Sequence, residues 1–302
     1  MQAPHRNIIH PPLLRHFRVP GAAISTNPYM EAKKVLFISQ QVSPYVPDTP
    51  MSLTSRSIPQ DVHGKEFEVR LFTPKYGCIN ERRNQLHEVI RLSGMNIIID
   101  DTDHPLIIKV ATLLPSRMQV YFIDNDDYFH PMPDKGLETE LLEDNDERMM
   151  FFTMGVIETV EKLRWQPAVI QCHGWMSALM PLYLRRKYAD DPTFASSKII
   201  FALQPEEFEG TLDSRFVEKL LMDTFTADDL KALGNEPVDW LTLNKLAIDY
   251  SDAIAEPSPD TPQEIADYAV ASGKPFLRYA DTVDKDSYKD FYRTLTDDGD
   301  DD

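Results

Sequence analysis

The chain has 302 residues, of which 42% are hydrophobic, so it is long enough to bury one sizeable core and to fold as a globular protein. Its formal net charge of -18 at pH 7 argues against nucleic acid and anionic membranes as partners, because both are bound through clustered lysine and arginine. No stretch approaches the roughly 18 apolar residues of a membrane span. The only two cysteines, Cys78 and Cys172, favour a reducing cytoplasm over a disulfide framework.

The two ends of the chain differ from its middle. Residues 1–31 are predicted to form a flexible arm, because Pro11, Pro12 and Pro20 interrupt the apolar run that a signal sequence would need. Residues 271–302 are predicted to be a C-terminal extension that ends in a disordered acidic tail from Asp297 to Asp302. One main domain is therefore expected over residues 32–270.

The predicted elements of this domain alternate strands with helices. Continuous apolar runs predict buried strands, amphipathic spacing predicts helices, and a β-branched region predicts an antiparallel excursion. Strands are expected at 34–39, 67–72, 88–92, 96–99, 106–114, 119–124, 168–172, 198–203 and 251–255; helices are expected between the first two strands, at 145–165, after 174, and at 217–224, 226–233 and 238–250. This order predicts an α/β fold with a doubly wound, Rossmann-like sheet, in which ligands bind beyond the carboxyl ends of the strands.

Several strand ends carry motifs. They are Ser43-Pro44-Tyr45, Pro74-Lys75-Tyr76-Gly77, the segment from Val120 to Phe129, Asp144-Asn145 with Glu147-Arg148, and the segment from Trp165 to Trp175. In this order they resemble glycosyltransferase family 5, the glycogen and starch synthases, over roughly residues 33–265. The resemblance implies the N-terminal half of a GT-B glycosyltransferase, whose second domain would be needed to complete a donor site for ADP-glucose.

The resemblance also implies a set of ligand-binding positions in the cleft. These are Tyr128, Asp144, Asn145, His173 and Trp175. For His173 and Trp175 the alternative is packing of the turn from strand to helix, and for Asp144 the alternative is a helix cap. The acidic cluster Asp124, Asp126 and Asp127 is interpreted as a structural loop, so neither a metal nor another cofactor is expected.

Three loops of the cleft depart from the family pattern. Pro47, Asp48, Thr49 and Pro50 stand where the family has lysine, threonine and two glycines, whose positive charge and backbone amides bind the donor diphosphate. The prolines remove amide donors. Three further family positions are replaced, by Met176, Gln204 and Pro205. The sequence therefore predicts weak donor binding, and no catalytic residue is assigned.

Three functions are compatible with these residues. The first is a non-catalytic module that binds an α-glucan, a metabolite or a protein partner. The alternative is one half of a split glycogen synthase, which would transfer glucose from ADP-glucose to an α-1,4-glucan, because only about 37 residues follow Ile265. The third is an altered transferase or hydrolase that uses Asp48, Gln204, Glu206 and Glu207.

The sequence also bears on assembly. The apolar Met176 stands where the family has a polar residue, and it would lie in the former interdomain cleft. Apolar residues exposed there would favour an oligomer.

Overall fold

A computed structural model describes residues 31–130, 144–234, 236–282 and 284–297. The N-terminal arm up to residue 30 and the acidic tail from residue 298 therefore lie outside the described residues. Within the described residues, the main compact unit begins at Ala32 and includes the elements up to Asp297.

The unit is built on one large sheet. Its strands within the described residues are β1 (Lys33–Ser39), β2 (Phe67–Pro74), β3 (His87–Glu88), β4 (Met95–Ile99), β5 (Thr102–Leu113), β6 (Met118–Asp124), β7 (Val169–His173), β8 (Lys198–Ala202), β9 (Ala253–Ala255) and β10 (Phe276–Leu277). The order is β10-β9-β8-β7-β1-β2-β6-β5-β3, and β4 pairs with β5. The strands from β10 to β6 are parallel, whereas β5 is antiparallel to its neighbours. The predicted doubly wound sheet with an antiparallel excursion is confirmed.

Helices cover the sheet. They are α1 (Pro50–Val62), α2 (Asp126–Phe129), α3 (Asn145–Leu163), α4 (Met180–Arg186), α5 (Phe216–Met222), α6 (Trp240–Tyr250), α7 (Gln263–Ala271) and α8 (Ser287–Thr296), with short 3₁₀ helices at Trp175–Ser177, Lys231–Leu233 and Tyr279–Asp281. Every residue of β7 is buried. Because successive side chains of a strand point to opposite faces, both faces of the sheet are covered at its centre.

The predicted helix at 145–165 forms as α3, and a glycine determines how closely it packs. A Cβ on Gly155 would lie 2.9 Å from Cγ2 of Ile123, which belongs to β6. Only glycine allows this close approach of helix and strand without a shift. Arg164, in the left-handed conformation, ends the helix.

Three predicted elements are wrong or incomplete. Of the strand predicted at 88–92, only Glu88 belongs to β3; the Val89 amide still donates to the carbonyl oxygen of Ile108, and the chain then turns, with the amides of Leu92 and Ser93 donating to the carbonyl oxygen of Val89. The helix predicted at 226–233 is a turn followed by a 3₁₀ helix. The strand predicted at 251–255 is not the last, because β10 pairs with β9.

Two elements follow residue 270, where the sequence predicts the domain to end. β10 extends the sheet, and α8 buries Tyr292 against Phe67, with ring centroids 5.8 Å apart. No helix among the described residues has both the length and the apolar character to cross a membrane.

The strand order changes direction at β1, which has β2 on one side and β7 on the other. Ser39 at the end of β1 pairs with His173 at the end of β7. In doubly wound sheets the loops that leave such a pair of strands border the crevice where ligands bind. The candidate site is therefore expected where α1 and the turn after β7 begin.

Candidate functional site

The first turn of α1 forms one wall of this crevice. Thr49 caps the helix: its hydroxyl oxygen accepts from the Ser52 amide at 3.0 Å, and the Ser52 hydroxyl oxygen accepts from the Thr49 amide at 2.8 Å. Pro50 has no N–H, and the Met51 amide donates to Oε1 of Glu206 at 3.2 Å. A helix N-terminus binds anions through its free amides. Here the chain's own groups already use these amides.

The rest of the loop after β1 is bonded within itself. Oδ1 of Asp48 accepts from the Ser43 hydroxyl at 2.8 Å, and the carbonyl oxygen of Pro47 accepts from the Ser52 hydroxyl at 3.0 Å. Pro47, Asp48 and Pro50 are exposed. The loop is thus held in shape by hydroxyl groups, where the resemblance would place glycine amides around a diphosphate.

His173 lies at the carboxyl end of β7 and is fully buried. Its Nε2 is 2.7 Å from Nε2 of Gln171, and its Nδ1 is 2.9 Å from Nε2 of Gln204. The hydroxyl of Tyr292, from α8, donates to Oε1 of Gln171. Burial lowers the pKa of His173 to about 3, so the imidazole is neutral at physiological pH.

The hydrogen bonds fix the tautomer of this imidazole. Because Oε1 of Gln171 accepts from Tyr292, its amide nitrogen donates to Nε2 of His173, and the ring proton then resides on Nδ1. The side-chain amide of Gln204 must accordingly present Oε1 to that proton. This orientation also gives a partner to the Gln204 oxygen, which is otherwise buried without one.

The turn after β7 is closely packed. Gly174 has a φ of +76°, and a Cβ there would lie 2.8 Å from both Oε1 of Gln40 and Cε of Met51, so an aspartate would have a strained backbone and would displace these two side chains. Trp175 is 1% exposed and packs edge-on against Phe208 at 5.3 Å between ring centroids. Both His173 and Trp175 are buried in the turn from strand to helix, as expected if they pack this turn.

Met176 does not provide the apolar surface that the sequence suggests. It is 2% exposed, its amide donates to Oε1 of Gln40 at 3.0 Å, and its sulfur lies 3.8 Å from the hydroxyl of Tyr76. The expectation of an exposed apolar residue at this point of the cleft is therefore wrong.

Tyr128 lies at the predicted acceptor side and is 3% exposed. Its hydroxyl donates to Oε2 of Glu147 at 2.9 Å and lies 3.0 Å from Nε2 of His104. Lys219, from α5, pairs with Asp146 and Glu147, at 2.7 Å to each. Burial and the neighbouring Glu147 raise the pKa of Tyr128, so it remains a neutral hydrogen-bond donor.

Asp144 and Asn145 stand at the start of α3. Asp144 makes no side-chain capping bond; instead its carboxylate pairs with Arg148, at 2.8 Å to Nε and 3.0 Å to Nη2. The capping alternative for Asp144 is therefore wrong, because the guanidinium one turn away takes both oxygens. Asn145 is 4% exposed, and its amide nitrogen is buried without a partner among the described atoms.

The acidic loop after β6 brings Asp124, Asp126 and His130 within 4.8 Å of one another. Nζ of Lys109 lies 2.8 Å from Asp124, and Nζ of Lys75 lies 3.4 Å from Nε2 of His130. Both ammonium groups also pair with the carboxylate of Glu81, at 3.0 Å from Lys75 and 2.6 Å from Lys109. The carboxylate of Asp124 is therefore part of a network of ion pairs within the chain.

Gln204, Pro205, Glu206 and Glu207 follow β8, but they do not assemble an acid–base pair with Asp48. The carboxylate of Glu206 is bonded to α1, that of Asp48 to Ser43, and Glu207 is exposed. The hypothesis of an altered hydrolase therefore has no geometric support. The contacts that complete the site, made by Glu206, Lys219 and Tyr292, join residues 72 to 155 positions apart, and no local pattern in the sequence signals them.

Comparisons with known proteins agree with the architecture. The family described as starch synthase catalytic domain matches residues 34–275. A glycogen synthase of Chlorobium limicola is 34% identical over 241 residues, which are 76% of this chain and 48% of that protein. A glycogen synthase of Chlorobium luteolum is 37% identical over 222 residues, 69% of this chain and 45% of that protein.

The chain thus spans about half the length of the relatives it matches. Among solved structures, the catalytic domain of starch synthase IV from Arabidopsis thaliana, bound to ADP and acarbose, superposes with a TM-score of 0.65. The sequence identity is 17%, and the match covers 83% of this chain and 53% of that one, so it shows the shared GT-B fold. The chain belongs to the starch synthase catalytic domain family.

Proposed function

We propose that this domain is a non-catalytic member of its family, which binds a glucan or a protein partner and does not transfer glucose by itself. The observation that carries the proposal is that the backbone amides at the N-terminus of α1 already have partners. Thr49 and Glu206 accept hydrogen bonds from the amides that a diphosphate would need. A carboxylate already present at that position repels a second anion as well as blocking it.

The acceptor side supports the same proposal. Tyr128 donates to Glu147, and Asp146 and Glu147 both pair with Lys219, so these groups are already bonded within the chain. Cys172 is a buried free thiol, which suits a reducing compartment, and we place the protein in the cytoplasm as part of the proposal.

The test is calorimetric titration of the purified chain with ADP, with ADP-glucose and with a malto-oligosaccharide. The proposal expects no heat of binding for either nucleotide. Micromolar binding of ADP-glucose would contradict it. Binding of the oligosaccharide alone would identify the ligand as a glucan, and binding of none of the three would direct the search to protein partners.

A second candidate is one half of a split glycogen synthase. It is favoured by the relatives, which bear the name glycogen synthase and of whose length this chain covers 45–48%. A separate chain would then supply the second domain and the transfer chemistry. Affinity purification from the native cell, followed by an assay with ADP-glucose and glycogen, tests it: transfer activity in the purified complex would favour this candidate over the first.

A further inference from the structure

A cavity of about 250 Å³ lies between α1 and the segment that leads into α8. Its apolar lining consists of Ile58, Pro257 and the ring of Tyr288. Its polar side chains are Thr54, Ser57, Asp61, Thr282, Asp284 and Lys285. An apolar lining with a few polar groups is the usual composition of a site for a small molecule.

Tyr288 is the buried polar group of this cavity. It is 7% exposed, and its hydroxyl has no hydrogen-bond partner among the described atoms. Burial raises the pKa of Tyr288, so the hydroxyl is neutral and able to donate. Buried hydroxyl groups normally have a partner, which a ligand with an acceptor oxygen would supply here.

The charges around the cavity favour a neutral ligand. Asp61 and Asp284 offer carboxylates, Lys285 offers an ammonium group, and all three side chains are exposed. A small ion of either sign would meet a like charge as well as an opposite one. A hydroxyl group both donates and accepts, so neighbouring hydroxyls of one neutral molecule can bond to a carboxylate and to an ammonium group. The cavity therefore fits an uncharged, hydroxyl-rich molecule such as a sugar.

A second cavity, of about 660 Å³, adjoins the first. Asp61 lines both cavities, so they meet at this residue. The other polar side chains of the second cavity are Gln60, His63, Lys65 and Ser116. Nδ1 of His63 accepts from the Val69 amide at 3.1 Å, so in the neutral ring Nε2 carries the proton and can donate. Together the two cavities form a furrow, which suits a chain of repeating units.

We propose that this furrow binds an α-glucan chain, with a glucosyl unit in the cavity beside Tyr288. The proposal rests on the glucan-binding form of the proposed function and adds where the glucan binds. The Tyr288 hydroxyl and the Lys285 ammonium group donate to sugar oxygens, and sugar hydroxyls donate to the two carboxylates. The C–H groups of the sugar ring pack against the apolar lining.

Calorimetric titration of the full chain with maltoheptaose tests the proposal. The wild-type protein should bind it. Tyr288→Phe should bind about fivefold more weakly, because it lacks one hydrogen bond, and Lys285→Ala should bind about tenfold more weakly, because its lost bond involves a charge. Both variants should fold, since the first keeps the buried ring and the second changes an exposed side chain.

The matched control is Lys162→Ala, which removes an exposed lysine of α3 and should bind as tightly as the wild type. Unchanged affinity in both furrow variants would overturn the proposal, and so would an equal loss in the control. Inorganic phosphate and putrescine should not displace maltoheptaose, because each is an ion. Displacement by either of them would show that the furrow is an ion site.

The crevice is the other place where the oligosaccharide could bind. Binding that is lost in Tyr128→Phe and kept in Tyr288→Phe would place it there and contradict the furrow. A wild-type chain that binds neither maltoheptaose nor ADP-glucose overturns only the furrow proposal, because a non-catalytic domain that binds a protein partner is still compatible with that result. Binding of ADP-glucose would instead contradict the proposed function.

Discussion

Glu206 and His173 are the two residues whose ionisation is most closely tied to the candidate site. Burial raises the pKa of Glu206, while its Oε1 accepts the Met51 amide. Burial lowers the pKa of His173, which is surrounded by two glutamine amides. Both side chains therefore have hydrogen-bond partners within the protein, unlike a catalytic group that faces solvent.

The Glu206 contact can be separated into charge and hydrogen bonding. Glu206→Gln keeps an acceptor for the Met51 amide, whereas Glu206→Ala leaves that amide without one, which costs about 1–3 kcal/mol of unfolding free energy. We expect the glutamine variant to be at least as stable as the wild type at pH 7 and the alanine variant to be less stable. Urea unfolding of the three proteins measures this. An alanine variant as stable as the wild type would show that the contact with α1 does not stabilise the fold.

His173 predicts a pH dependence of stability. Its pKa falls from 6.5 in the unfolded chain to about 3 in the fold, so the unfolded state binds one more proton throughout this window. Stability from this group is complete above pH 6.5 and declines by about 1.4 kcal/mol per pH unit on acidification toward pH 3. Unfolding of His173→Gln at several pH values should show a correspondingly shallower decline, and the exposed His87→Gln should match the wild type. Identical slopes for His173→Gln and the wild type would contradict the neutral imidazole.

At the scale of elements, α8 offers an internal comparison. Tyr292 and Tyr288 lie one turn apart and are both buried, but the hydroxyl of Tyr292 donates to Gln171, whereas that of Tyr288 has no partner among the described atoms. Tyr292→Phe should cost about 1–3 kcal/mol, because it leaves a buried amide oxygen unpaired, and Tyr288→Phe should be neutral or stabilising. Thermal unfolding of both variants checks this. An equal loss of stability in the two would mean that the hydrogen bond from Tyr292 to Gln171 contributes nothing.

The central strands and α3 could be predicted because their patterns are local. Runs such as Val35–Ile38 are apolar at every position, and α3 has apolar residues at three- and four-residue spacing, such as Met149, Phe152, Val156, Val160 and Leu163. β10 could not be predicted from its two residues, which become a strand only through pairing with β9. The same holds for the site: the motifs locate Tyr128 and His173 at strand ends, but the contact of Glu206 with α1 exists only in three dimensions.

At the scale of the whole molecule, the residues beyond the family match belong to the folding unit. α8 lies after residue 275, yet it covers Phe67 and bonds to Gln171 in the centre of the sheet. A chain that ends at Pro275 should therefore lose cooperative unfolding, whereas a chain that ends at Asp297 should melt like the wild type. Calorimetry of the two truncations decides this. A sharp, unshifted transition in the shorter chain would show that α8 is dispensable.

The position of β1 in the middle of the sheet also determines when the molecule can fold. β2 pairs with one edge of β1 soon after synthesis, but β7 follows only later, since Ser39 and His173 are 134 positions apart (173 minus 39). At a translation rate of about 5–20 residues per second, the second edge of β1 stays open for roughly 7–27 s. During that interval an uncharged apolar segment, Val35–Ile38, is available to chaperones or to other nascent chains. The strand in the middle of the sheet is therefore also the one whose second neighbour is most distant from it in the sequence.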